Sequence, residues 1–423
     1  MFFNQPMFRR VFVIFLLLGQ AWASPASDLL NQAIQLLQQQ YGGFSRVSVV
    51  ELAEKYQKEL EAVCANDANC PYSKAAPLVR QLVGALGDEH TNYYSPEDFD
   101  LLQRQLTGAP GTKPQLGIVT QVVPGLEGLL VIEAYPGTPA QEAGLKRGDR
   151  LLAVNGAPFP APAAARQQWL IDQVQSGQEL KLLVWRKQAE FEISLKGRIL
   201  PQERPPSLSL REDGVAVLRI PSFTPILRVG QEVHNLVREA RLLSARAMVV
   251  DLRDNPGGVL SECMAAAGAF VPDIYRAMMS GPMYPPYELY YREGTLYANI
   301  GILSGVRLYS VQPAFWQGKV AVLVNASTAS CAEYFALDLL ESRTALVVGE
   351  PTRGLANTAS AFSALMDGSG LQITTSRALR SDGSAYPERI TPEIPAADDL
   401  LALATRGYDA MLEEAVFQLF EGR

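Results

Sequence analysis

Ser330 stands six residues past an apolar run, Val320 to Val324, in the turn Asn325-Ala-Ser-Thr-Ala-Ser330. After it, Ala332, Phe335, Ala336, Leu339 and Leu340 recur at offsets 0, 3, 4, 7 and 8, which predicts a helix with one apolar face. A second apolar run, Ala345 to Val348, ends at Gly349. A hydroxyl at the mouth of a helix can do nucleophilic chemistry, because the free N–H groups and the helix dipole favour a developing negative charge there. The same position suits a plain N-cap serine. A second candidate stretch, Arg253-Asp-Asn-Pro-Gly257-Gly258, follows the apolar strand Met248 to Leu252. A Gly-Gly turn between strand and helix lets backbone N–H groups approach a ligand, as an oxyanion hole requires. It also fits a phosphate, although no Walker lysine pattern accompanies it, and it fits a tight structural turn. His90 is one of two histidines and sits in Leu86-Gly-Asp-Glu-His90-Thr-Asn-Tyr-Tyr. It reads as a proton acceptor or as a packing residue of the helical region. The other, His234, falls on a predicted helix and is expected at the surface or in a structural role.

The elements that position these residues divide the chain. Arg9 and Arg10, the apolar run Val11 to Leu18 and Ala21-Trp22-Ala23 have the form of a secretory leader, cleaved after Ala23. Its removal takes the net charge from −7 to −9, and leaves no stretch apolar enough to span a membrane. The mature protein is expected to be periplasmic or secreted. Residues 24–106 read as helical, with faces at Leu29 to Leu37, Val49 to Val63 and Ala76 to Leu86. A Gly/Pro-rich linker, Thr107 to Pro114, leads to short strands and a short helix at Pro139 to Ala143. After the proline-rich Pro201 to Ser207, a second α/β unit begins near Val215. Tyr275 to Tyr309 is rich in Tyr, Met and Pro and reads as a lid or as an apolar loop packed on the core. Ala397 to Phe420 reads as one amphipathic helix, packed on the core or on a second subunit of a homo-oligomer.

Composition narrows the function. Hydrophobic residues at 48% and charged residues at 19% describe a globular protein with a large core. A net charge of −7 without basic runs argues against nucleic acid. Two histidines and no CxxC pair argue against a zinc site, and no cofactor is expected. In an oxidising compartment Cys64 and Cys70, around a short polar loop, form a plausible disulfide. Cys263 and Cys331 fall in predicted helices and read as small core side chains.

Pro136-Gly-x-Pro-Ala-x-x-Ala-Gly-Leu-x-x-Gly-Asp-x-Leu-x-x-Val-Asn-Gly156 resembles a PDZ domain over 113–198. That resemblance implies capture of a peptide C-terminus on the backbone of Gln115, Leu116, Gly117 and Ile118. Leu86 to Phe99, Val250-Asp-Leu-Arg-Asp-Asn-Pro-Gly-Gly258, Asn325 to Glu333 and Val347-Val-Gly-Glu-Pro-Thr352, together with Ile390-Thr-Pro-Glu-Ile394, resemble the C-terminal processing (tail-specific) peptidases of the S41 type. The resemblance covers nearly the whole mature chain in order. It implies an α/β core of the ClpP/crotonase-like type over 205–423 and the nucleophile position for Ser330. The oxyanion would be held by the N–H of Gly257 or Gly258 and that of Cys331. One departure stands out: where PDZ-bearing members carry a lysine base in Pro-Thr-x-Gly-Lys-Gly, this chain has Leu355, and no lysine follows Lys319. Arg353 stays protonated and cannot replace it. One branch of the family uses a histidine from the segment ahead of the core, which here implies His90 as base, with Glu388 as the carboxylate behind it. Two readings follow: a serine endopeptidase acting on exported proteins through their C-termini, or an inactive peptide-binding protein that lost its lysine. An α/β-hydrolase esterase would need the Gly-x-Ser-x-Gly elbow, which is missing here.

Overall fold

The computed structural model describes residues 24–201 and 203–421. The expected leader, 1–23, lies outside the described residues. Helices Pro25–Gln40, Val49–Cys64 and Tyr72–Ala85 begin the fold, the first two capped by the hydroxyls of Ser24 and Ser48. Their apolar stripes meet in a core that includes Leu29, Leu37, Leu52, Leu60 and Leu82. Cys64 and Cys70 form a disulfide that closes the turn between the second and third helices. The helical region is not self-contained. Leu365, Leu371 and Ile373, from the far end of the chain, complete its core. Strand Asn92–Tyr94 pairs antiparallel with Gly370–Leu379, Asn92 opposite Gln372. That pairing carries His90 into the C-terminal half of the protein.

Residues 118–196 form a five-strand path, with a two-residue strand, Ala157–Pro158, beside Arg150–Val154. Helix Ala163–Gln175 packs on its apolar face through Leu170 and Val174. The remaining core is a six-stranded sheet in the order Ile394–Pro395, Leu346–Gly349, Lys319–Val324, Ala247–Asp251, Val215–Arg219, Ser207–Leu210, parallel except at the last strand. Its central strands are buried on both faces, as crossover helices demand. Helices Val229–Leu242, Leu260–Ala267 and Cys331–Glu341 cover one face. Helix Ala410–Phe420 covers the other through Met411, Ala415 and Leu419. The mixed α/β class read from the sequence is what the structure shows.

Three expectations change. The Tyr/Met-rich stretch is neither lid nor loop: Asp273–Ser280, Tyr287–Arg292, Thr295–Ile300 and Leu303–Ser310 are consecutive antiparallel strands of a second sheet. Ile274, Met278, Leu289, Tyr291 and Leu296 alternate into the core beneath them. The C-terminal helix is two, Leu400–Arg406 and Ala410–Phe420, because Gly407 ends the first at φ +65° and the Asp409 carboxylate caps the second. Cys263 and Cys331 are buried, as expected of core residues, but they form a second disulfide with a Cα–Cα distance of 5.8 Å. No helix among the described residues is long and apolar enough to cross a membrane.

Candidate active site

Strands Ala247–Asp251 and Lys319–Val324 lie side by side and end at the same edge. Their two following loops are laced together there. Asn325 Oδ1 accepts from the Asp254 N–H (3.0 Å), its Nδ2 donates to Asp254 Oδ1 (2.9 Å), and the Thr328 hydroxyl donates to the Leu252 carbonyl (2.9 Å). The Ala329 N–H donates to the Asn255 carbonyl (2.9 Å). Ser330 then stands at φ 53°, ψ −118°, immediately before helix Cys331–Glu341. A non-glycine residue with positive φ persists only when its surroundings over-determine it. The constraint here is Glu333, wholly buried. Its carboxylate accepts from the Ser330 N–H at 2.7 Å, from the Thr352 hydroxyl, and from the N–H groups of Gly354 (3.0 Å) and Leu355 (2.8 Å). Burial raises the Glu333 pKa against the pull of those four donors. Ser330 is thus an N-cap residue by place, and half-buried. The two readings of it do not exclude each other.

Gly257 packs directly on this turn: a Cβ there would come 2.9 Å from the Cys331 nitrogen and 2.9 Å from Ser330 Cβ. Its own N–H is taken by Asn255 Oδ1 at 2.8 Å. Of the two glycines considered as oxyanion donors, that leaves Gly258, whose N–H has no acceptor among the described residues while its neighbours Gly257 and Val259 bond to Phe223 through the Gly257 carbonyl and the Val259 N–H. The Cys331 N–H, at the first helical position, also has no acceptor among the described residues. The Cys263–Cys331 disulfide ties that residue to the helix that follows Gly258.

His90 is 4% exposed. Its backbone N–H donates to Asp88 Oδ1 (2.9 Å), and its ring Nδ1 lies 2.9 Å from Thr358 Oγ1. Burial drives the imidazole down to about 4, with Asp88 opposing that shift, so the ring is neutral at pH 7. No hydrogen bond joins His90 to Ser330. Their segments do converge, however. Glu89 pairs with Arg353 (3.3 Å), and the Arg353 N–H donates to the Thr328 carbonyl two residues before Ser330 (3.0 Å). Glu388 is exposed; its carbonyl accepts from the Ala356 N–H, and its carboxylate makes no hydrogen bond. The partner of His90 is therefore Thr358, not Glu388. Leu355, expected from the resemblance at the lysine position, is 9% exposed and donates its N–H to Glu333. His234 is not at the surface. It is wholly buried, Nδ1 accepting from the Ala314 N–H (3.0 Å) and Nε2 facing the Ala265 carbonyl (3.0 Å), a structural role. Glu333 and Thr358 escaped the sequence reading. The Ser-x-x-Glu spacing of a capping box marks Glu333, whereas nothing local marks Thr358.

Gln115, Leu116, Gly117 and Ile118 line a groove of about 590 Å³ against helix Ala163–Gln175. The Leu116 carbonyl accepts from Ala140 (3.0 Å) and the Gly117 carbonyl from Tyr135 (2.9 Å), while the N–H groups of Leu116 and Gly117 have no acceptor among the described residues. The Gln115 N–H is bonded to the Arg198 carbonyl. Gly117 adopts φ +79°, and a Cβ would sit 2.3 Å from Thr138. Bonded carbonyls and two unbonded N–H groups beside a groove are the backbone arrangement that carboxylate capture requires.

Residues 214–396 match the family described as Peptidase family S41, and residues 130–186 match the PDZ domain. The carboxy-terminal processing protease CtpA of Bacillus subtilis is 24% identical over 326 residues, which cover 75% of this chain and 63% of that protein. The chloroplastic carboxyl-terminal-processing peptidase 2 of Arabidopsis thaliana is 28% identical over 316 residues, 71% of this chain and 56% of that one. The tail-specific protease of Haemophilus influenzae is 24% identical over 298 residues, 67% and 39% respectively. The chain thus spans between 39% and 63% of the length of these relatives. A putative S41 protease from Bacteroides fragilis shares the fold at a TM-score of 0.57 and 15% identity, over 91% of this chain and 96% of that one. A lipoprotein from Streptococcus agalactiae shares it at 0.51 and 13%, over 94% and 96%. The chain carries a peptidase domain of family S41 with a PDZ domain ahead of it.

Proposed function

We propose that this protein is a serine endopeptidase of the C-terminal processing type, acting on exported proteins or peptides in a periplasmic or extracellular compartment. Ser330 attacks the scissile carbonyl and His90 takes its proton. The oxyanion is received by the N–H groups of Gly258 and Cys331. The PDZ groove holds the substrate's C-terminal carboxylate on Leu116 and Gly117. The observation that carries this reading is the pair of unspent N–H groups on either side of a serine held at positive φ. Each feature occurs alone in structural turns, and it is their coincidence at one hydroxyl that supports the reading. The lysine position filled by Leu355 leaves His90 as the base. Burial keeps it unprotonated at neutral pH, and its segment reaches the nucleophile loop at the exposed Glu89–Arg353 pair. Catalytic hydrogen bonds of empty sites often form only around bound substrate.

The test is labelling of the mature protein by a fluorophosphonate probe, beside Ser330→Ala and His90→Ala. Labelling of the wild type alone supports the mechanism. A wild type that stays unlabelled yet binds an apolar C-terminal peptide leaves the non-catalytic peptide-binding reading in its place.

A further inference from the structure

Among the described residues the imidazole of His90 has one hydrogen-bond partner, Thr358 Oγ1, at 2.9 Å, and both residues are buried, at 4% and 5% exposure. Thr358 opens the strand Thr358–Ala364, directly after the loop where the family's lysine would stand. It is held from behind. The Tyr334 hydroxyl, on the nucleophile helix, donates to the Thr358 carbonyl (3.1 Å). The Arg276 guanidinium lies 4.0 Å from the Tyr334 ring centroid and 4.9 Å from that of Tyr386. Asp338, on the nucleophile helix, accepts from Arg276 at 2.8 and 3.0 Å. The Thr358 backbone is thus tied to a group of packed side chains, of which helix Cys331–Glu341 supplies Tyr334 and Asp338, and the one bond of its hydroxyl is that to His90.

We propose that Thr358 is the positioning residue of the proton transfer. Its hydroxyl accepts the Nδ1–H of His90, which leaves Nε2 unprotonated to receive the Ser330 proton. The inference rests on the peptidase reading and deepens it. As the Oγ–C bond forms, the Oγ proton passes to Nε2. As the C–N bond breaks, the same proton passes from the imidazolium to the leaving amine. With a neutral hydroxyl behind it, the imidazolium gains no charge stabilisation from that side. The charged groups around it are few. Asp88 lies on its own segment, and Glu89 is spent on Arg353. From packed elements come Glu333, spent on the nucleophile turn, and Arg377, opposite Thr358 in register with its guanidinium 5.3 Å from the Phe44 ring. Thr374 contributes only a hydroxyl, donated to Asp88 (3.0 Å). This His base therefore works without the carboxylate that orients the histidine of a serine triad. It should remain unprotonated, and so active, well below the pH at which a carboxylate-backed histidine is lost.

The experiment uses the fact that the chain has two histidines. Selective ¹⁵N-histidine labelling of the full mature chain gives two sets of ring signals, separated by His90→Ala. The rate of fluorophosphonate labelling is followed from pH 4 to 9 in parallel. The wild type is expected to show the Nδ1–H tautomer at His90 and no acid limb above about pH 5, given a ring pKa near 4. Thr358→Ser should stay within about threefold of it, while Thr358→Val should lose about 10- to 100-fold with a mixed tautomer. Thr358→Asp should move the acid limb upward by about 1 to 3 pH units, a change that a packing role would not produce. A wild type in the Nε2–H tautomer, or a Val variant with the wild-type rate and profile, overturns the role of Thr358 and leaves the peptidase reading standing. A wild type that never labels removes both.

Discussion

Replacing both Cys263 and Cys331 by alanine tests whether the oxyanion donors are held by a covalent staple. The two cysteines are 68 residues apart, and loop closure of that length restricts the unfolded chain by about 4 kcal/mol, against about 2 kcal/mol for the separation of 6 between Cys64 and Cys70. The staple joins the helix behind Gly258 to Cys331, proposed above as the second donor, so on that reading its loss also loosens the separation of the two. Removal of one such donor slows acyl transfer by about 100- to 1000-fold, and mere loosening should cost about 10-fold of that. Unfolding is best followed at Trp316, buried in the peptidase core, with Trp169 and Trp185 of the PDZ region changed to Phe so that one domain is read. The oxidised mature protein should titrate no thiols in denaturant. The double variant should unfold about 4 kcal/mol earlier and label more slowly, while Cys64→Ala/Cys70→Ala labels at the wild-type rate. Two titratable thiols in the wild type, or a double variant within about 1 kcal/mol of it, would refute the staple.

Glu333→Gln puts an amide NH₂ where two of the four donors now point, leaving those donors unpaired inside the protein. It is expected to destabilise the peptidase domain by about 3 kcal/mol or more and to abolish labelling, whereas a surface variant such as Glu97→Gln changes neither. Unfolding within about 1 kcal/mol of wild type would show that Glu333 does not hold the turn. In the PDZ groove, Ile171 is 44% exposed and lines the cavity, so Ile171→Glu can be made without opening a core. It should weaken binding of a peptide with an apolar C-terminus by about 10-fold in a fluorescence anisotropy titration, and leave fluorophosphonate labelling of Ser330 unchanged.

The strand, turn, helix and strand around Ser330 were legible because each signal is local. A run of Val and Ala that long is buried on both faces, and offsets of 3 and 4 mark a helix with one covered side. The observed strands Lys319–Val324 and Leu346–Gly349 and the helix Cys331–Glu341 fall within a residue or two of those readings. What the sequence concealed was pairing at long range. Asn92 meets Gln372, 280 residues on, and that pairing, with the bonds of Asp88 to Thr374 and His90 to Thr358, carries the His90 segment to the C-terminal half. The Cys263–Cys331 bond was hidden for a related reason, since connectivity among four cysteines cannot be read from their order. The strands 273–310 were hidden by composition: Tyr and Met serve both a packed loop and a half-buried strand, and Pro and Gly at 281–286 break the alternation. Thr358 carried no signal at all, because a threonine opening a strand is ordinary. The partner chosen for His90 by resemblance, Glu388, faces solvent instead.

The loop that presents Gly258 is fixed by charge more than by apolar contact, and the reason lies in where it sits. Its backbone is bonded on both sides of Gly258, at Gly257 and Val259, and the residue ahead of it adds a further hold. Arg253, 2% exposed, bonds Asp251 (3.0 and 2.7 Å), Asp409 (2.8 and 3.0 Å) and Asp398 (3.1 Å). Burial works against the Asp251 charge, yet Arg253 and Arg219 hold its carboxyl well below the usual range. Arg147, from the PDZ region, closes the cluster on Asp398 and Asp409, and Arg219 reaches back to Glu133 there. Such a cluster adds little net stability over packed apolar side chains, because each charge loses its hydration on burial. What it adds is direction. A bidentate guanidinium accepts few orientations, and Asp398 and Asp409, one ahead of each C-terminal helix, narrow those of Arg253 further. The backbone four and five residues on inherits that constraint, which is why the C-terminal segment, remote from Ser330 in sequence, belongs to the geometry of its site.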